Sequence, residues 1–100
     1  MAKDLNVFDK EYGLLINGAW TKPGALLDSY NPANGEALAK FTDATDADVD
    51  AAVAAAQEAF KTWRKTTATE RAAILNKIAD VIDENLELFA LQETLDNGKP

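Results

Sequence analysis

Ser29 is the single serine among 100 residues that include no cysteine and no histidine. A serine hydroxyl becomes a nucleophile only beside a group that takes its proton, and no imidazole exists here to do so. Without thiols or imidazoles the sequence holds no disulfide, no thiolate nucleophile and no cysteine or histidine zinc ligand. Gly98-Lys99 suggests a phosphate loop, but that motif needs glycine where Glu93 stands and Ser or Thr where Pro100 stands. No Gly-x-Gly-x-x-Gly occurs, so the dinucleotide fingerprint is also missing from these residues.

The remaining candidates each have a plainer reading. Leu27-Asp28-Ser29-Tyr30 is similar to the Asp-Ser-Leu tripeptide where carrier proteins attach phosphopantetheine. That serine should open a helix, whereas Ser29 follows Gly13, Gly18, Pro23 and Gly24 and precedes Asn31-Pro32, so it reads as a strand-end serine. The acid pairs Asp83/Glu84 and Glu84/Glu87 fit a solvated helix face better than acid–base or metal chemistry. Asp96 differs in lying at a helix end among backbone carbonyls, where capping is the ordinary role. Trp20 and Trp63 are expected in a core rather than stacked on a ligand.

The elements that would position these residues divide near residue 45. Residues 1–12 read as a flexible leader. Residues 13–45 hold four of the five glycines and two of the three prolines and read as a region of two short β-hairpins. Asn17-Gly18 suits both central positions of a type I′ turn between Leu14-Leu15-Ile16 and Ala19-Trp20. Asn31-Pro32-Ala33-Asn34-Gly35 is a second turn, between Leu26–Tyr30 and Glu36–Phe41. Residues 46–100 read as two or three α-helices. Thr45-Asp46-Ala47-Asp48 and Thr67-Ala68-Thr69-Glu70 have the form of capping boxes.

Val49, Val53, Ala56, Phe60 and Trp63 make one apolar stripe on the first helix, a rod of about 30 Å. Ile74, Leu75, Ile78, Val81, Ile82, Leu86 and Phe89 cover roughly half the circumference of the second. That width predicts packing on two sides, against the first helix and against something the sequence does not reveal. A break near Asp83-Glu84-Asn85 would let Asn85 cap a third piece, and Asn97-Gly98 would end it with a left-handed residue.

The hydrophobic fraction is 47%, but 19 of those residues are alanine, leaving 28 larger apolar side chains for a core. Seventeen acids against ten bases give a net charge of −7, which opposes binding to nucleic acid or an anionic membrane surface. No apolar run approaches the length of a membrane span and no signal peptide is evident, so a cytoplasmic location is expected.

As an ordered string, the blocks are more specific than any one of them. Leu15-Ile16-Asn17-Gly18-Ala19-Trp20, Asn31-Pro32-Ala33-Asn34-Gly35-Glu36 and Asp48-Val49-Asp50-Ala51-Ala52-Val53 follow in turn. Ala55–Phe60 with Trp63, Glu70–Leu75 with Ile78-Ala79-Asp80, and Glu93–Pro100 complete the series. From about residue 14 onward this resembles the N-terminal segment of the NAD(P)-dependent aldehyde dehydrogenase family. The resemblance implies an α/β parent with a Rossmann-like cofactor domain, of which residues 1–100 would be one incomplete part. It implies NAD or NADP as cofactor, an aldehyde as substrate, a carboxylic acid as product, and a homodimer or homotetramer.

In that family a cysteine captures the aldehyde as a thiohemiacetal, which passes hydride to the nicotinamide. A glutamate then activates water against the thioester, while an asparagine and a backbone amide hold the oxyanion. None of those residues maps onto this sequence, so the expectation is a segment inactive by itself and partly molten when its apolar faces are uncovered. The resemblance also implies a structural monovalent cation held by Asp96 and the backbone carbonyls of Ser29 and Tyr30. The alternative is a complete, small, acidic helical interaction module with no enzymatic activity.

Overall fold

The structure, a computed structural model, describes residues 7–100. It runs β1 (Glu11–Tyr12), β2 (Leu15–Ile16), β3 (Ala19–Trp20), β4 (Leu26–Tyr30), β5 (Ala37–Thr42), then α1 (Asp46–Trp63), α2 (Ala68–Glu84) and α3 (Leu86–Asn97). Strands therefore precede three helices, as the glycine and proline distribution indicates. The first six residues of the expected leader lie outside the described residues. Glu11–Tyr12, counted with that leader in the sequence reading, instead form β1.

The β2–β3 hairpin pairs Leu15 with Trp20 and Ile16 with Ala19. Asn17 and Gly18 take φ of 53° and 75°, the left-handed pair that a type I′ turn demands. A separate three-stranded sheet has the order β1-β5-β4. The β4–β5 hairpin is antiparallel, and β1 adds to β5 in parallel, Glu11 opposite Lys40 and Tyr12 opposite Phe41. Lys40 and Asp28 face each other across the hairpin and form an ion pair at 3.2 Å. Thr42 fixes the β1 junction: its hydroxyl donates to the Tyr12 carbonyl at 2.7 Å and accepts from the Gly24 amide at 3.3 Å. It is buried, so both partners matter there.

Both capping boxes form. Thr45 Oγ1 accepts from the Asp48 amide while Asp48 accepts from the Thr45 amide, and Thr67 and Glu70 repeat the exchange. Each such cap is worth about 1 kcal/mol of helix stability. Arg71 braces the link between α1 and α2, donating to the Thr66 hydroxyl at 3.0 Å and the Thr66 carbonyl at 2.8 Å. Gly98 ends α3 with φ of 78°. Asn85 departs from expectation. It stands between α2 and α3, but its side chain donates backward to the Val81 carbonyl and makes no bond into α3.

Packing is thin. The radius of gyration is 17.2 Å, against about 13 Å for a compact domain of this length. Neither α1 nor α2 contains a buried residue. The expected burial of α2 against α1 and a further partner is thus not met within these residues: Leu75 is 66% exposed and Ile78 50%. The tryptophans are likewise outside any core, Trp20 at 67% exposed and Trp63 at 45%. An alanine-rich α1 offers closeness rather than area, and the β2–β3 hairpin lies beside its Ala52, Ala55, Ala56 and Ala59.

Candidate functional site: the cleft between the sheet and the third helix

Where packing does occur, it seats α3 on the turn end of the β4–β5 hairpin. The inward face of α3 carries Leu91, Gln92 and Leu95, of which Leu95 is buried. Leu95 lines a small cleft shared with Phe8, Ala37, Leu38 and the polar turn residues Asn31, Asn34 and Glu36. The Gln92 amide donates to the Val7 carbonyl at 2.8 Å and ties the chain before β1 to the same helix.

The turn is rigid for reasons readable in its side chains. Asn31 Oδ1 accepts from the Ala33 amide, its backbone carbonyl from Gly35, and Asn34 Oδ1 from Glu36. Pro32 sits close to Gly98, where an added Cβ would meet Pro32 Cγ at 3.2 Å. The two ends of the described chain segment from β4 to α3 are therefore held together at one edge.

Ser29 and Asp96, 67 positions apart in the sequence, meet there: the Ser29 hydroxyl donates to Asp96 Oδ1 at 2.9 Å. A register shift between Ser29 and Tyr30 interrupts the β4–β5 ladder at the same place. A bulge leaves backbone groups free of regular pairing, which suits carbonyl oxygens for other partners. Of the three residues named for a cation, Asp96 and Ser29 meet through their side chains, and Tyr30 directs its hydroxyl to Asp28 at 3.4 Å. Ser29 has a carboxylate acceptor but no base capable of the histidine role, so nucleophilic chemistry does not follow. Among the described residues no three His, Cys, Asp or Glu side chains come together as a metal cluster.

Beyond this corner opens a cleft of about 1200 Å³, walled by Tyr12, Trp20 and Phe41 on the strand side and Ile82 and Phe89 on the helix side. Glu93 and Asp96 are the acids on its lining. The walls are chiefly aromatic and aliphatic, and chemically the cleft can accept apolar surface. Sequence reasoning did not single out Gln92, Thr42 or Leu95. Only the spacing of Leu91 and Leu95, one helical turn apart, carried a signal for the last of these. No helix among the described residues is long and apolar enough to cross a membrane.

Three comparisons bear on this arrangement. Residues 20–100 match the model of the aldehyde dehydrogenase family. Acetaldehyde dehydrogenase 2 of Cupriavidus necator is 43% identical over 97 residues, covering 95% of this chain and 19% of that protein. An aldehyde dehydrogenase of Rhodospirillum rubrum is 42% identical over 95 residues, covering 93% of this chain and again 19% of the other. An aldehyde dehydrogenase from Bacillus cereus, solved as an NAD+ complex, superposes with a TM-score of 0.84 and 42% identity over 91% of this chain and 19% of its own. The chain thus spans about a fifth of the length of the relatives it matches.

Proposed function

The chain belongs to the aldehyde dehydrogenase family, and from that premise we propose that its residues serve as the scaffold segment of an enzyme that oxidises an aldehyde to a carboxylic acid with NAD+ or NADP+. The observation that carries this reading is the unburied apolar surface of α1, α2 and the cleft, in a segment matching only a fifth of its relatives. The remaining four-fifths of such an enzyme would cover that surface as the Rossmann-like cofactor domain, in a cytoplasmic homodimer or homotetramer.

These residues hold neither reactant. The sequence has no cysteine for the thiohemiacetal and no glycine-rich strand–helix turn for a pyrophosphate, so nucleophile and cofactor contacts belong to other residues. When bound, the nicotinamide cofactor supplies the hydride acceptor. The contribution of this segment is positional: Ser29, Asp96, Gln92 and Leu95 fix the sheet on α3, and the exposed faces offer a bed for the reacting part.

Complementation tests this. The hundred-residue chain is produced together with the Bacillus cereus enzyme lacking its matching segment, and aldehyde-dependent NADH formation is followed. Activity is expected only from the pair. Turnover by the shortened enzyme alone would show the segment dispensable. A soluble chain that neither restores activity nor joins the shortened enzyme, yet unfolds cooperatively in urea with ordered tryptophans, would favour the separate interaction module.

We further propose that Asp96, with the carbonyls of Ser29 and Tyr30, holds a structural monovalent cation. The fit rests on the Ser29–Asp96 contact and the interrupted ladder beside it. The complemented enzyme is expected to melt higher in potassium or sodium chloride than in choline chloride, and Asp96→Ala should abolish the difference. An unchanged salt response in Asp96→Ala would remove the site.

A further inference from the structure

Asn-Gly occurs three times, at Asn17-Gly18, Asn34-Gly35 and Asn97-Gly98. All six residues are exposed, and each asparagine has the same unhindered glycine after it. By sequence they are equally open to attack of the glycine amide nitrogen on the asparagine side-chain carbonyl. The structure separates them.

At Asn34, Oδ1 accepts from the Glu36 amide at 2.9 Å and the Gly35 amide donates to the Asn31 carbonyl at 2.7 Å. At Asn97, Oδ1 accepts from the Lys99 amide at 2.9 Å, Nδ2 donates to Glu93, and the Gly98 amide donates to the Thr94 carbonyl at 2.9 Å. In both places the electrophile and the nucleophile are each engaged. At the hairpin tip, neither the Asn17 side chain nor the Gly18 amide has a hydrogen-bond partner among the described residues. A type I′ turn explains why: its closing bond joins the outer pair, Ile16 and Ala19, and leaves the central amide to solvent.

We propose that Asn17 is a modification site, the position at which this protein deamidates, with Asn34 and Asn97 protected by their turn and cap bonds. The Gly18 nitrogen forms a bond to Asn17 Cγ, the Cγ–Nδ2 bond breaks, and the amide proton leaves with the side-chain nitrogen as ammonia. Water then opens the five-membered imide at either carbonyl, giving aspartate or isoaspartate at position 17. Isoaspartate lengthens the backbone by one carbon within a two-residue turn. The Leu15–Trp20 and Ile16–Ala19 register then no longer closes, and the hairpin leaves the alanine face of α1.

The full hundred-residue chain is aged in mildly alkaline buffer and in concentrated urea, and fragment-ion mass spectrometry locates the converted asparagines. In buffer, Asn17 is expected to convert about tenfold or more faster than Asn34 or Asn97, since Asn34-Gly35 must first open two hydrogen bonds and Asn97-Gly98 three. In urea the three rates should converge. Conversion of Asn34 or Asn97 as fast as Asn17 in buffer overturns the proposal. So does an Asn17 that stays intact in buffer while the urea-treated chain converts. A ranking in urea identical to that in buffer also overturns it, because sequence rather than structure would then set the rates.

Discussion

Gly13→Ala is expected to open the β2–β3 hairpin, with amide exchange at Leu14 and Thr21 accelerated by about tenfold to a hundredfold or more. A Cβ on residue 13 would overlap the Thr21 carbonyl oxygen and lie 3.0 Å from its carbon. These are backbone atoms, so no rotamer change relieves the overlap; the chain itself must move. That chain is the one place where β3 is stitched back onto the residues before β2. The Thr21 amide donates to the Leu14 carbonyl at 2.7 Å, and the Leu14 amide donates to Thr21 Oγ1 at 2.8 Å. Overpacking of this kind costs about 1–3 kcal/mol, and the two lost bonds add about 1 kcal/mol each. Gly24→Ala is the matched comparison. Its Cβ would find Thr42 Cγ2 at 3.5 Å, ordinary contact, and exchange should scarcely change. Equal exchange in the two variants would mean the close approach at Gly13 does not constrain the hairpin.

The features legible in the sequence are those settled within four residues. Thr45 and Asp48, Thr67 and Glu70, Asn17 and Gly18 each complete their geometry locally, so type and spacing suffice. What was not legible depends on partners far along the chain. Tyr12 belongs to a strand because Phe41 pairs with it and Thr42 holds its carbonyl, thirty positions away. Without those partners, Glu11-Tyr12 carries no strand pattern of its own. Asn85 shows the limit within a helix: its type suits a cap, but donating to Val81 satisfies the end of α2 rather than the start of α3.

The candidate site divides in the same way. Asp96 and Ser29 entered through family resemblance, and the structure brings their side chains together. The width of the apolar face on α2 predicts burial on two sides, yet among the described residues α2 has no buried position. Trp20 and Trp63 follow from the same cause. Their type argues for a core, and these hundred residues enclose too little volume to make one around them. An expectation drawn from residue type alone assumes that the partner surface lies in the same stretch of chain.

Leu95→Ala tests where the small core that does exist resides. Leu95 is the buried hydrophobic residue among those described, on the α3 face beside the cleft that Ala37 and Leu38 also line. Removing a buried leucine to alanine costs about 2–5 kcal/mol, most where the surroundings do not collapse into the space. Little collapse is available here, because the turn beside it is fixed by the Asn31 and Asn34 bonds. Amide exchange through α3 is therefore expected to rise toward that of an undocked helix, and β1 should loosen with it as Gln92 loses its hold on Val7. Ser29→Ala removes only the hydroxyl bond to Asp96, worth about 0.5–1.5 kcal/mol, and should leave α3 seated. The caps at Thr45 and Thr67 lie in other helices and should keep their protection in both variants. If Ser29→Ala released α3 as fully as Leu95→Ala, the polar corner rather than the apolar contact would be what holds the helix on the sheet.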